Sequence, residues 1–188
     1  MSDSLATEPT RRLLTPRQAD TVHRLTEAGV REVRASGYEN LSIRDVARRA
    51  GVAPATAYTY FASKDHLLSE IFWRRLNALP PVEPDEQPDR DRITAVLREL
   101  ALLVSAEPEL AAGCTAAMFG SEPDVRQLRL YIGVRIHERI EAAAGPGTPA
   151  ARLLELAYFG AMVEAGLGYT TYEHMADRLA EAVGLIMR

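Results

Sequence analysis

Thr56, Tyr58, Thr59 and Tyr60 bring two threonines and two tyrosines into one short stretch, preceded by Ala53-Pro54-Ala55 and followed by Phe61 and Ser63-Lys64. Hydroxyls donate to or accept from base edges and phosphate oxygens, and alanine or threonine methyls pack on a thymine methyl. No Arg, Asn or Gln lies between Pro54 and Phe61. The stretch therefore lacks the bidentate readers that discriminate bases most strongly. Arg44, a little upstream, can supply a guanidinium, and the shape of a duplex can supply the remaining selectivity.

The flanking residues predict how this stretch is held. Ser42 is a good N-cap for a short helix that ends before Gly51. Ile43, Val46, Ala47 and Ala50 form its apolar stripe, and Arg44, Asp45, Arg48 and Arg49 its wet side. A second short helix follows over about Pro54 to Phe61, with Ala57 and Phe61 facing inward. Two short helices joined by a glycine turn are the layout of a helix-turn-helix, whose second helix enters a major groove. An αα corner that merely packs has the same outline. The helix starts at Ser42 and at Ser63-Lys64 can hold phosphates through their backbone N–H groups.

A longer helix precedes the pair, from about Pro16 to Ala35, with Thr15 as cap and Pro16 in its first turn. Val22, Leu25, Ala28, Gly29 and Val33 recur at three- and four-residue spacing, so one stripe faces inward. Gly29 permits another helix to approach closely. Gly37 is expected to end the helix through a left-handed turn. Residues 1–15 read as a disordered arm, and Arg11, Arg12 and Arg17 near the start of the helix read either as part of a solubilising tail or as an arm that touches DNA. A fourth helix runs from Ser63 to about Ala78. The segment Leu79–Pro88, with four prolines and three acids, cannot continue it.

Composition limits the remaining choices. The chain has 188 residues, 47% hydrophobic and 26% charged, as expected of a packed globular protein. No apolar run is long enough for a membrane span, and residues 1–8 lack the pattern of a secretory leader. The expectation is a cytoplasmic protein with no membrane association. One cysteine, Cys114, excludes an intrachain disulfide or a cysteine-cluster zinc site. Neither a metal nor a cofactor is expected. The net charge of -4 hides an asymmetry: residues 1–77 carry +3 and residues 78–188 carry −7. A basic front on an acidic remainder points to a polyanion at one end.

Beyond Pro88 the pattern is helical throughout. Helices are predicted over Asp89–Ala106, Pro108–Phe119, Pro123–Ala144, Pro149–Tyr169 and Tyr172–Met187. The fourth of these is apolar on nearly every side and needs cover on most of them. Gly160, Ala161, Ala165 and Gly168 would admit a neighbouring helix. The last carries a seam of Tyr172, Met175, Leu179, Ala182 and Ile186. Together they predict a homodimer through the last two helices, the alternative being an ordinary intrachain core.

Residues from about Leu25 to Leu68 resemble the DNA-binding domain of the tetracycline-repressor (TetR) family. The resemblance rests on Gly37-Tyr38-Glu39-Asn40-Leu41-Ser42-Ile43-Arg44-Asp45-Val46-Ala47, on Ala50-Gly51-Val52-Ala53-Pro54-Ala55-Thr56, and on Ala57-Tyr58-Thr59-Tyr60-Phe61 with Ser63-Lys64. It implies an all-α fold: an N-terminal three-helix DNA-binding domain over residues 16–62, and a helical ligand-binding and dimerisation domain over 63–188. By position, Ser42, Tyr58 and Lys64 match phosphate contacts, and Arg44, Pro54, Ala55, Thr56, Thr59 and Tyr60 match positions that face bases or the adjacent backbone. Ala57 departs from the family, which usually carries a larger aliphatic residue there. The core at that point is loosened, or filled by a neighbour such as Leu25 or Val33.

The same resemblance implies a small-molecule site after the fourth helix. Trp73, Cys114, Met118, Phe119, Tyr131, Tyr158, Phe159 and Met162 are its candidate lining, with Glu164 as a polar anchor. Such residues also build plain cores. As a ligand site they suit an apolar or amphipathic molecule. Glu164 also reads as a rim carboxylate, and His137 as a residue on an exposed face with Arg135, Glu138 and Arg139. The implied function is a ligand-responsive repressor that binds a palindromic double-stranded operator as a homodimer. A transcriptional activator or a ligand-independent DNA binder of the same fold is the alternative. Catalysis by Cys114, His137 and Glu164 finds no support in a nucleophile elbow, a metal cluster or a phosphate loop.

Overall fold

A computed structural model describes residues 14–84 and 88–187. The polar arm expected over residues 1–15, but for Leu14 and Thr15, lies outside the described residues, as do Asp85, Glu86 and Gln87. Every regular element among the described residues is an α-helix: α1 (Pro16–Asn40), α2 (Ile43–Ala50), α3 (Pro54–Tyr60), α4 (Lys64–Ala78), α5 (Arg90–Ala101), α6 (Pro108–Met118), α7 (Pro123–Ala144), α8 (Pro149–Gly166) and α9 (Tyr172–Ile186).

The described residues divide into two compact units that do not follow chain order. One holds the chain to Asn77 together with Glu107–Tyr131; the other holds Ala78–Ala106 together with the chain from Ile132 onward. The helix pair α2–α3 thus shares a unit with α1, α4, α6 and the first part of α7.

In the first unit, α1 begins with a capping box between Thr15 and Gln18, with Pro16 in its first turn. It buries Val22, Leu25, Ala28, Gly29 and Val33, the stripe expected from spacing. Gly29 does admit a neighbour: a Cβ placed there would lie 2.9 Å from Leu67 Cδ2 and 3.2 Å from Ile71 Cδ1, both on α4. Gly37 bends the chain at φ 74° and ψ 166°. Its ψ is extended, so it is not the left-handed cap expected there, and one more helical turn follows to Asn40. α6 packs on α1. Glu107, just ahead of α6, takes Arg34 of α1 at 2.8 Å and Arg75 of α4 at 2.5 Å.

In the second unit, α9 packs against both α5 and α8. Arg98 pairs with Asp177 at 2.6 Å, Arg178 with Glu164 at 2.5 Å, and Arg90 donates to the Gly184 carbonyl at 2.6 Å. Two helices end earlier than their sequence pattern suggests. α5 gives way after Ala101 to tight turns. α8 closes in a Schellman motif, in which Tyr169 N–H bonds the Glu164 carbonyl at 2.9 Å and Gly168 N–H bonds the Ala165 carbonyl at 3.0 Å. Gly168, at φ 78°, is therefore a helix terminator. Arg139 is buried rather than on an exposed face, because it falls on the inward stripe of α7. It donates to the Pro80 carbonyl at 2.7 Å and pairs with Glu99. No described helix is long and apolar enough to cross a membrane.

Candidate functional site

The α2–α3 corner is set by three local features. Ser42 caps α2 by accepting from Asp45 N–H at 3.2 Å, and its hydroxyl donates to the Asp45 carboxylate at 2.5 Å. That bond is the first cause of an Asp45 carboxyl below its usual range. Gly51 then takes a left-handed conformation (φ 67°, ψ 35°), and its N–H returns to the last turn of α2. Pro54 opens α3 with its φ already helical.

From this corner α3 buries Ala57 and Phe61 completely. The small Ala57 is itself fully buried, so no opening to solvent lies over it. The opposite side presents Pro54, Ala55, Thr56, Tyr58 and Thr59, all exposed, with Tyr60 half-buried. Tyr58 is 46% exposed, unusual for a tyrosine beside a packed corner. The Thr59 hydroxyl donates to the Ala55 carbonyl at 3.0 Å. Its proton is thereby committed, and Thr59 offers an acceptor oxygen and a methyl to anything docking on α3.

The nearby cations separate into engaged and free. Arg48 pairs with Asp45 at 2.5 Å, and Arg49 with Glu32 at 2.5 Å. Arg24 reaches Asp20 at 3.3 Å. Arg44 is exposed on the first turn of α2, and among the described residues no carboxylate holds it. Lys64 is engaged. Its ammonium donates to the carbonyls of Tyr38 at 3.0 Å and Glu39 at 3.2 Å, and lies 4.1 Å from the Tyr38 ring centre. The Tyr38 hydroxyl in turn donates to Asp65 at 2.8 Å. Burial, with that bond, pushes the phenol up to about 12. Ser63 caps α4 through His66 N–H at 3.1 Å and donates to Glu122 at 2.5 Å. The start of α4 is thus tied to the end of α1 and faces two carboxylates, a poorer phosphate seat than helix position alone implies.

The candidate ligand residues fall into both units. In the first, Trp73 and Cys114 are buried, Met118 and Tyr131 are half-buried, and Phe119 is 64% exposed. The Trp73 and Tyr131 rings lie 6.1 Å apart. Cys114 donates weakly to the Leu68 carbonyl, and burial pushes its thiol up to about 12, so it is no thiolate at neutral pH. In the second unit, Tyr158 is buried against the edge of Phe159, with ring centres 5.6 Å apart. Phe159 itself is exposed and Met162 half-buried. Glu164 is held by Arg178 at the surface. Phe119 and Glu164 therefore do not point into an enclosed space, because the surface turn after α6 carries one and an α8–α9 ion pair consumes the other. His137 is likewise engaged, 2.8 Å from Glu155 and 3.4 Å from Glu141.

Sequence reasoning missed two buried polar residues, Ser69 and Glu70, in the middle of α4. Both interrupt an otherwise apolar run, Leu67 to Trp73, and that interruption was the available signal.

Residues 25–71 match the family described as bacterial regulatory proteins, tetR family. An uncharacterized HTH-type transcriptional regulator of Mycobacterium tuberculosis is 44% identical over 199 residues, covering 99% of this chain and 93% of the relative. The chain belongs to the tetR family. It is a transcriptional regulator with a DNA-binding domain, and its relatives are regulators rather than enzymes. Among solved structures, a TetR transcriptional regulator from Rhodococcus sp. RHA1 superposes with a TM-score of 0.72 at 21% identity, covering 92% of this chain and 98% of that one. The regulator FadR of Bacillus subtilis, in complex with stearoyl-CoA, reaches 0.56 at 17% identity, covering 87% and 96%. These two likenesses establish the all-α fold: an N-terminal helix-turn-helix followed by a helical remainder.

Proposed function

We propose that this regulator is a repressor, active in the cytoplasm, which binds a palindromic operator as a homodimer and is released by a small apolar or amphipathic effector. One observation carries the DNA-binding part. The side of α3 opposite its buried Ala57 and Phe61 is exposed, hydroxyl-rich and free of acidic residues, with the unheld Arg44 beside it. Ser42 and Tyr58 are assigned to phosphates; Lys64, with two of its N–H groups on the Tyr38 and Glu39 carbonyls, is assigned first to holding the end of α1 and only secondarily to a phosphate. Arg44, Pro54, Ala55, Thr56, Thr59 and Tyr60 are assigned to base edges or the neighbouring backbone.

The α8 surface supports the dimer. Leu153, Leu156, Val163 and Leu167 are exposed, 53%, 72%, 39% and 57% respectively. With Gly160 they follow an alternating three-and-four spacing, the seam that packs helix against helix. This seam lies opposite the face that buries Ala151, Leu154, Tyr158 and Ala165. Nothing lies within 4 Å of a Cβ built on Gly160. Water is a poor cover for such a stripe; a second copy of α8, with α9 alongside, covers it. Two copies of a weak reading helix then address half-sites about 34–36 Å apart, or a multiple of that.

Effector binding would act as a population shift, favouring a state in which α4, which leads from the first unit into the second, no longer holds the two α3 helices at groove spacing. The test is selection of duplexes from a random pool at moderate ionic strength, followed by titration of the selected operator. A palindromic consensus bound by a dimer supports the proposal. No preference over competitor DNA refutes the operator, and equal operator affinity with and without a bound effector refutes release. Derepression of the target promoter on deletion separates a repressor from an activator.

A further inference from the structure

α4 is enclosed over eight consecutive residues, His66 to Trp73, so all sides of its middle are covered by protein. Besides His66, which accepts from Ala62 N–H, two polar side chains sit inside that enclosure. Glu70 is 1% exposed and Ser69 fully buried. Arg74 takes one Glu70 oxygen, Nε to Oε1 at 2.8 Å. Glu70 Oε2 and Ser69 Oγ have no hydrogen-bond partner. A buried carboxylate oxygen left without a donor costs free energy that a fold does not keep without a reason. At about 100° per residue, Ser69, Glu70 and Trp73 fall on one side of the helix. Trp73 there meets the Tyr131 ring. Unmatched polar atoms on the side of the helix that carries an aromatic pair are ingredients of a ligand site, which joins an apolar surface to a few polar groups.

We propose that Glu70 and Ser69 form the polar end of the effector site, and that the effector joins an apolar body to a head that donates hydrogen bonds, an amine or a hydroxyl. An anionic head is disfavoured, because it would set a second negative charge against Glu70 Oε2. Burial, opposed by Arg74, holds the Glu70 carboxyl above its usual range. A donor arriving at Oε2 supplies what solvent supplies to an exposed carboxylate. This inference rests on the reading of the chain as a ligand-responsive regulator and names the chemistry of its ligand.

Trp73 is the sole tryptophan of the chain, which makes its fluorescence a local reporter. The full-length protein is titrated, without DNA, with decylammonium and with decanoate, which differ in head group but match in chain length. The expected result is a saturable change in Trp73 emission, with decylammonium binding at least ten-fold more tightly than decanoate. Glu70→Gln should abolish that preference, and Ser69→Ala should weaken decylammonium several-fold. Equal affinity for both probes overturns the proposal, as does no saturable change or a preference retained in Glu70→Gln. Should Glu70→Gln fail to fold, the wild-type preference and the Ser69→Ala titration decide. Amine binding that depends on Glu70 but leaves operator affinity unchanged upholds the site and overturns effector release. Operator release by both probes alike does the reverse.

Discussion

The outer faces of α3 and α8 are both exposed in a single subunit, and they differ in what water can do for them. On α3 the exposed groups are threonine and tyrosine hydroxyls with small methyls, and water satisfies them until another hydrogen-bonding surface replaces it. On α8 they are Leu153, Leu156, Val163 and Leu167, and each loses about 25 cal/mol per Å² of apolar surface left wet. The first face suits a partner that comes and goes. The second suits one that stays. The proposed dimeric repressor would use both: a lasting association to fix geometry and a reversible one to respond.

The largest effect should come from breaking the permanent face. Leu156→Glu combined with Val163→Glu should convert the protein to monomers in sedimentation velocity and weaken operator binding by about a hundred-fold or more, since each half-site then binds alone. A dimer that survives both changes would place the interface elsewhere.

The reversible face should respond in a graded way. Arg44→Ala should cost about 1–3 kcal/mol on the selected operator and relax one base position, with little loss on random DNA. Equal losses on both would make Arg44 a phosphate contact. Lys64 distinguishes holding the fold from holding DNA. Lys64→Ala should lower unfolding stability by about 1–2 kcal/mol, because two carbonyls at the end of α1 lose a charged donor. The salt slope of DNA binding should fall by less than the ~0.9 expected of a lost phosphate contact. A full drop with unchanged stability would reverse that assignment.

The smallest effect concerns the edge of the α8 seam, where His137 of α7 bridges Glu155 and Glu141. The bond to Glu155, helped by the charges of Glu155, Glu141 and Glu138, raises the imidazole above its usual 6.5. A raised folded-state value means that its stabilisation is complete below 6.5 and is lost as pH rises through the folded value. Because the ring is partly exposed, that contribution should stay below ~1 kcal/mol. His137→Gln should flatten the slope of stability against pH in that window, read by urea unfolding at several pH values. An unchanged slope would show the bridge to be inert.

Much of this architecture was legible from the chain because it follows local rules. Ser42 and Gly51 bracket α2, Pro54 opens α3, and Thr15 with Gln18 starts α1, each through a bond to its own neighbourhood. The periodic burial of Val22, Leu25, Ala28 and Val33 follows from 3.6 residues per turn. Gly29 was readable as a place of close approach, though not which helix would approach. Residue types alone also marked the outward hydroxyls of α3 and the apolar excess of α8.

Only three-dimensional packing decided the rest. Gly37 bends α1 in place of capping it, and Gly168 closes α8, because a glycine's backbone angles depend on where the following chain must go. Lys64 and Glu164 carry charges that suggest phosphate and ligand, yet partners distant in sequence, the Tyr38 and Glu39 carbonyls and Arg178, claim them. Glu70 looks like any solvated acid until α4 is enclosed on every side, and then one of its oxygens has nowhere to bond. Sequence determines what a residue does with its near neighbours, since those lie within a turn of the helix. Which distant groups reach it, and whether water still can, is settled when the helices close around one another.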